Sequence, residues 1–411
     1  MNTKKILFKL VFILALFFTN NRILQAQGWN EQASGTGENL HDIFFINQDI
    51  GWVVGNDGVI RKTIDGGVTW TGSLSGVIWD LRGVFFQNAT RGWAVGKEGT
   101  LLITTDGGTS WSSTNNSGVT EHLRSVYFAS DNNGWAVGDN GTNLQSTDNG
   151  VTWSTGSLPG NLAFSDIYFK NATTGWVTSQ LGNIYRTTDG GTTWEESSAG
   201  SDDLTAVHFI DASTGWTSTT VDTIIYKSTD GGANWIPQDI SGEGNLNGVF
   251  SVSPSEVWGV GNKMTCIKTD DGGNTWNGVE VDSSTPDDLR DAFFFPGIRG
   301  WVCGEDGRIY RTDVMVSTEE TWAAKGYHLF DNAPNPFQES TMLGFEIPQS
   351  EMISIRVYNL NGKLVKSIAP QNYPAGIHHM EFERNGLAEG MYFFELKAGD
   401  FVDTKKMIII K

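Results

Sequence analysis

Two cysteines and six histidines are all that the 411 residues contain, and His378 and His379 are adjacent. No spacing among them fits a zinc-ligand set, so no metal is expected, and no cofactor either. Basic residues are few: 28 Lys and Arg stand against 47 Asp and Glu, a formal net charge of −19. That balance excludes a nucleic-acid ligand, because phosphate backbones are held by clustered cations. Adsorption to an anionic membrane surface is disfavoured for the same reason. Only one long apolar run exists, from Ile6 to Phe18, and it is too short for a comfortable membrane span. No nucleophile elbow of the G-x-S-x-G kind occurs. No catalytic residue is assigned.

Glycine and tryptophan are abundant instead, at 50 and 16 residues. Together with only 18% charged residues, they point to short strands and tight turns rather than helices. The length allows two or three ordinary domains, or one large all-β domain with an appendage. Residues 1–26 differ from the rest: Lys4, Lys5 and Lys9 precede or interrupt the apolar run, and Leu24-Gln25-Ala26 ends on a small residue. This is the pattern of a secretory signal peptide cleaved after Ala26. The residue after that point is Gln27 rather than a cysteine, so lipid anchoring there is not expected. Export places Cys266 and Cys303 where a disulfide can form. Both, however, occupy slots that the repeats below fill mostly with Ile, Leu or Val, which favours two buried small hydrophobes.

An octet organises the chain. TIDGGVTW (63–70) recurs as TTDGGTSW (104–111), STDNGVTW (146–153), TTDGGTTW (187–194), STDGGANW (228–235) and TDDGGNTW (269–276). A second tryptophan precedes each octet, at Trp52, Trp93, Trp135, Trp176, Trp216 and Trp258, and Trp301 makes a seventh. The two tryptophans of a unit are 18 residues apart five times and 19 once. Twelve residues before each of the seven lies an apolar start: Leu40, Leu81, Leu123, Phe164, Leu204, Leu246 and Leu289. Spacing that rigid means one structural unit copied seven times. Each unit of about 41 residues reads as four short strands with an Asp-Gly-type turn in the middle. The expected fold is therefore all-β: a seven-bladed propeller of four-stranded blades over residues 27–316.

Seven units share only six octets, and the N-terminus supplies the missing piece. Trp29 lies 11 residues before Leu40, and the octet tryptophans lie 10 to 13 before the next apolar start. Residues 28–34 are thus expected to be the fourth strand of blade seven, removing an exposed edge. Trp322, 21 residues after Trp301, fits that slot poorly. Within the octet, Asp65, Asp106, Asp148, Asp189, Asp230 and Asp271 are expected to accept backbone N–H bonds across their own turns. Glycine takes the positive φ the turn needs, and the tryptophan covers the hairpin. Six copies around a ring cannot be one active site, and none offers the oxygen cage that calcium needs.

These octets are the Asp boxes of sialidases, sortilin-type receptors, xyloglucan hydrolases and photosystem II stability and assembly factors. The combination of GWAVG, a short turn and TTDGGxTW in seven units most resembles the last family, over roughly residues 28–316. That resemblance implies a non-enzymatic propeller that binds a protein partner. After Trp322 the composition changes, with a linker expected over 317–328. The stretch from 329 to 411 resembles the type A C-terminal sorting domain of type IX secretion cargo. The carriers are Pro334-Asn335-Pro336-Phe337, IRVYNLNGK, GMYFFEL and the Lys-flanked apolar strand at the end. The resemblance implies a small β-sandwich, recognition by the type IX translocon, and a secreted or cell-surface location. Alternation at Ile353, Ile355 and Val357 supports a half-buried strand independently.

One constellation carries a possible site. The residue after each apolar start is His41, Arg82, Arg124, Ser165, Thr205, Asn247 and Arg290. Equivalent slots come round at one level of the central channel, so blades seven, one, two and three place Arg290, His41, Arg82 and Arg124 as neighbours. In so acidic a chain this crescent is expected to seat an anionic ligand, such as a carboxylate or the acidic end of a protein partner. The alternative is that each arginine pairs with a local acid such as Asp42 or Asp291. A monomer is expected. The competing function is a surface glycan hydrolase of the sialidase kind, but sialidases usually have six blades and an F/Y-R-I-P motif, which this chain lacks.

Overall fold

Every unit of the repeat folds into a four-stranded antiparallel sheet in the computed structural model, which describes residues 28–114, 118–220, 224–240, 244–295, 299–312, 326–330, 332–359, 363–399 and 401–411. The expected signal peptide lies outside these residues, and so does Trp322. Blade one illustrates the plan, with Leu40–Phe45 innermost, then Gly51–Gly55, Val59–Thr63 and Thr71–Leu74. The second strand is buried along its whole length in all of the first six blades. In the first three blades it reads GWVVG or GWAVG rather than alternating, as suits a strand covered on both faces. The fourth strand opens one residue after the octet tryptophan and spans only two to four residues.

The second and third strands meet at a left-handed residue. Asp57, Glu98, Asn140, Leu181 and Asp306 all carry φ between 52° and 57°, which Asn and Asp tolerate better than a branched or bulky side chain.

Blade seven is closed as its spacing predicts. Leu289–Phe295, Arg299–Gly304 and Ile309–Thr312 are completed by Asn30–Gln32 from the other end of the chain, with Asn30 opposite Arg311 and Gln32 opposite Ile309. The strand is shorter than the 28–34 expected, but the packing is that of the other blades. Elsewhere five of the six octet tryptophans stand edge-on to the phenylalanine that ends their own blade's inner strand, as Trp70 does to Phe45 and Trp111 to Phe86. Trp29 stands edge-on to Phe294 at 6.2 Å.

Blades are joined by stacking. Trp52 lies flat on Phe86 at 3.4 Å, Trp93 on Phe128 at 3.6 Å, Trp176 on Phe209 at 3.5 Å and Trp301 on Phe45 at 3.7 Å. Each pair spans two neighbouring blades, so the core is a chain of inter-blade clusters rather than one centre. Cys266 and Cys303 sit buried as thiols in blades six and seven.

Beyond the propeller, two more antiparallel sheets share a separate core. One is His328–Leu329, Ser340–Ile347 and Gly376–Glu383. The other orders Leu364–Tyr373, Glu351–Asn359, Gly390–Ala398 and Phe401–Ile409. Leu343, Phe345, Ile355, Val357, Phe394 and Met407 fill the space between them. Among the described residues no helix is long and apolar enough to cross a membrane.

Candidate functional site

The inner strands give the central channel its lining, one residue per blade per level. Four positions after each apolar start stand Phe44, Phe85, Tyr127, Tyr168, His208, Phe250 and Phe293. Their rings touch in a closed circuit. Centroid separations run 5.1, 4.8, 5.5, 4.6, 4.4 and 5.3 Å from Phe44 to Phe293, and 5.5 Å back to Phe44. Such contacts lie within the range of favourable aromatic pairs. The seven rings line the channel at one level, below the crescent. The sequence holds this ring at constant spacing, but Phe and Tyr at that slot read as ordinary strand formers beside the Trp, Gly and Asp of the repeat.

At the rim, the strand starts bring the four crescent residues together. Arg124 and Arg290 both act electrostatically on Arg82, and His41 feels Arg82 and Arg290. The arginines do have local acid partners, but Asp42 and Asp291 are not among them. Arg82 donates from one nitrogen to Asp80 at 3.1 Å, and Lys97 meets the same carboxylate at 2.6 Å. Arg124 donates from Nε to Asp139 at 2.6 Å. Arg290 donates from Nη2 to Glu305 at 2.5 Å and to Asp288 at 3.2 Å. In each case a single guanidinium nitrogen is committed, and the Nε of Arg290 is enclosed without a partner. The acids come from the loop just before the strand or from the turn after the second strand, where they reach back over the rim. Asp42 and Asp291 point one level deeper, because successive side chains of a strand face opposite ways and a bulge follows each strand start.

His41 is not a fourth cation at neutral pH. Burial, and then the charge of Arg82, lower its pKa to about 4, with Arg290 adding to the effect. Its Nε2 donates to Asn56 Oδ1 at 2.7 Å. The hydrogen bond fixes the ring without charging it. The remaining slots of the level, Ser165, Thr205 and Asn247, are neutral; Thr205 donates to the carbonyl of Leu246 and Asn247 to that of Leu289. One side of the rim therefore holds three guanidinium groups and the other only hydroxyls and an amide.

The six octet aspartates lie between the third and fourth strands of their blades, outside the inner strands, and are engaged locally. Thr104 Oγ1 donates to Asp106 Oδ1 and accepts from the N–H of Gly108, both at 2.8 Å. Asp106 Oδ1 also accepts from Ser110 N–H at 2.9 Å, and Oδ2 accepts from the Ser110 hydroxyl at 2.6 Å. Asp65, Asp148, Asp189, Asp230 and Asp271 repeat the pattern. Donors on both oxygens favour the carboxylate: the hydroxyl of Ser110, of Thr193 or the amide of Asn234 leads in holding Asp106, Asp189 and Asp230 at about 2. The turn also serves the neighbouring blade. Trp52 Nε1 donates to Gly107 O at 3.1 Å, Trp176 to Gly231 O at 2.8 Å and Trp301 to Gly66 O at 3.0 Å. The octet is a clasp and a socket at once.

Comparison with known proteins agrees with this architecture. The family model described as photosynthesis system II assembly factor YCF48 matches residues 21–112, 75–195 and 150–248, which together span more than half of the chain. A secretion system C-terminal sorting domain matches residues 333–411, and indicates export to the cell surface or the medium. Among solved structures, YCF48 bound to D1 peptide is 24% identical, with a TM-score of 0.59, covering 70% of this chain and 97% of its own. YCF48 from Cyanidioschyzon merolae is 21% identical with a TM-score of 0.59, covering 70% and 98%. The WD40 β-propeller domain of Doa1 is 15% identical with a TM-score of 0.56, covering 72% and 98%. These likenesses show the propeller fold. No curated protein matches the chain.

Proposed function

Because this chain belongs to the family of the photosynthesis system II assembly factor YCF48, we propose that it is an exported, non-enzymatic binding propeller whose crescent face seats an anionic end of a partner polypeptide. The observation that carries this reading is the state of the three arginines. Each is held by local acids through one nitrogen, which leaves its other N–H groups uncommitted among the described residues. Pinning lowers the entropy lost when a carboxylate docks, and guanidinium groups bind carboxylates through paired hydrogen bonds. A peptide on the YCF48 neighbour shows that a propeller of this shape is able to hold one. The type IX translocon is the partner of the sorting domain, and residues 27–316 and 329–411 act as separate binding and export units.

The test uses a pool of short random peptides with free C-terminal carboxylates, and the same pool amidated, passed over immobilised protein. Retention of the free-acid pool should exceed that of the amidated pool, and Arg82→Ala with Arg124→Ala should weaken it about tenfold, some 1.4 kcal/mol. The melting temperature should stay close to wild type, since Arg124 is largely exposed, Lys97 still meets Asp80 once Arg82 is gone, and ion pairs near the surface contribute little stability. Equal retention of both pools, or by both proteins, would contradict the assignment.

A further inference from the structure

Directly beneath the crescent, two acidic side chains meet across the junction where the ring closes. Asp42 belongs to the inner strand of blade one and Asp291 to that of blade seven. Asp291 Oδ2 accepts from the backbone N–H of Ile43 at 3.2 Å, tying blade seven to blade one. Asp42 Oδ2 accepts from the N–H of Val84 at 2.6 Å, tying blade one to blade two. The two carboxyl groups are also hydrogen-bonded to each other. Two ionised carboxylates have no proton to donate, so one member of such a pair must be protonated.

We propose that the junction between blades seven and one is a proton-dependent lock, in which one proton shared by Asp42 and Asp291 holds the ring closed beneath the crescent. The chemistry is a single ionisation. When the pair gives up its shared proton to solvent, the hydrogen bond is lost and two negative charges are left in contact. The charged and titratable groups around the pair set its response. Arg290 and His41 lie on the same two strands, with Arg82 on the next. Asp166 faces Asp42 across the channel and disfavours its charge. Cys303 lies opposite Asp291 in the sheet and senses both acids. Asp42 and Asp291 are only partly buried by surface, so proton exchange with solvent is open. Burial nevertheless dominates, raising the carboxyl of Asp291 well above its ordinary range.

A group with a raised folded-state pKa stabilises the fold fully below its unfolded pKa, and that contribution is lost as pH climbs through the folded value. The lock therefore releases on the alkaline side. Arg290 and His41 ride on the two strands it joins, so release divides the crescent.

Asp291→Asn tests this with a side chain that never ionises. Its amide donates to Asp42 and its carbonyl accepts from Ile43 N–H, copying the protonated state. The denaturant midpoint of the full chain should fall between about pH 6 and about pH 9.5 in wild type, and by less than about half as much in the variant. The Ile43 amide should lose hydrogen-exchange protection over the same range in wild type only. Parallel decline of the two proteins would overturn the lock. Asp42→Asn places the same donor on the other strand and should give the same flattened profile if Asp291→Asn folds poorly. Failure of both amide variants to fold would also overturn it, because each keeps the hydrogen bonds.

Discussion

His208 shows how much one residue of the aromatic ring reveals. It fills a slot held by phenylalanine in four blades and tyrosine in two. It lies 4.4 Å from Phe250 and 4.6 Å from Tyr168. Its Nδ1 accepts from the hydroxyl of Ser251 at 2.5 Å and from the N–H of Ser251 at 3.2 Å. Burial, and secondarily the charge of Lys170, lower its pKa to about 3. A lowered histidine pKa means stability that is present above the unfolded value of 6.5 and disappears as pH falls towards about 3. His208→Phe should therefore flatten the acid limb of the stability profile, leaving the share that belongs to His41. At neutral pH it should cost about 1 kcal/mol, the usual worth of a hydrogen bond left unmade at Ser251. Denaturant melts at neutral and acid pH would measure both effects. An acid limb as steep as in wild type would mean that His208 is not the group that titrates.

Among the elements, the N-terminal strand has a role out of proportion to its three residues, Asn30–Gln32. Trp29 packs edge-on to Trp258 at 6.0 Å as well as to Phe294, so it joins blade six to blade seven as the octet tryptophans join their own pairs. Truncating it to alanine should cost ~3–5 kcal/mol, as for other buried tryptophans, and about as much as Trp111→Ala. A denaturant melt of the two variants decides; a mild Trp29→Ala would mean that the ring closes by some other segment. This closure was readable because a missing octet and an 11-residue interval are both visible in the chain. The extent of the strand was not. The fourth strands of the other blades vary from two to four residues, and register there depends on packing against the neighbouring blade rather than on local pattern.

For the whole molecule, repetition made the ring legible. A slot that recurs every 41 or so residues must return to one level of a closed ring, which placed Arg290, His41, Arg82 and Arg124 together. The aromatic circuit obeys the same spacing but was not picked out, because its residues look like ordinary strand formers when each blade is read alone. What repetition does not reveal is the asymmetry: Asp80, Asp139, Asp288 and Glu305 sit in loops that differ from blade to blade, and their ion pairs depend on loop conformation. Nor does spacing distinguish an acid that serves an arginine from one that bonds the next blade's backbone, as Asp42 does. The result is a propeller with one differentiated mouth, exported with its sorting domain. Hydrogen–deuterium exchange of the full chain, with and without the free-acid peptides retained on the column, tests that most directly. The account predicts protection of the strand starts at Arg82, Arg124 and Arg290 and of the turns over the rim, with the six octets unchanged. Protection centred on the octets, or spread evenly over the seven blades, would contradict it.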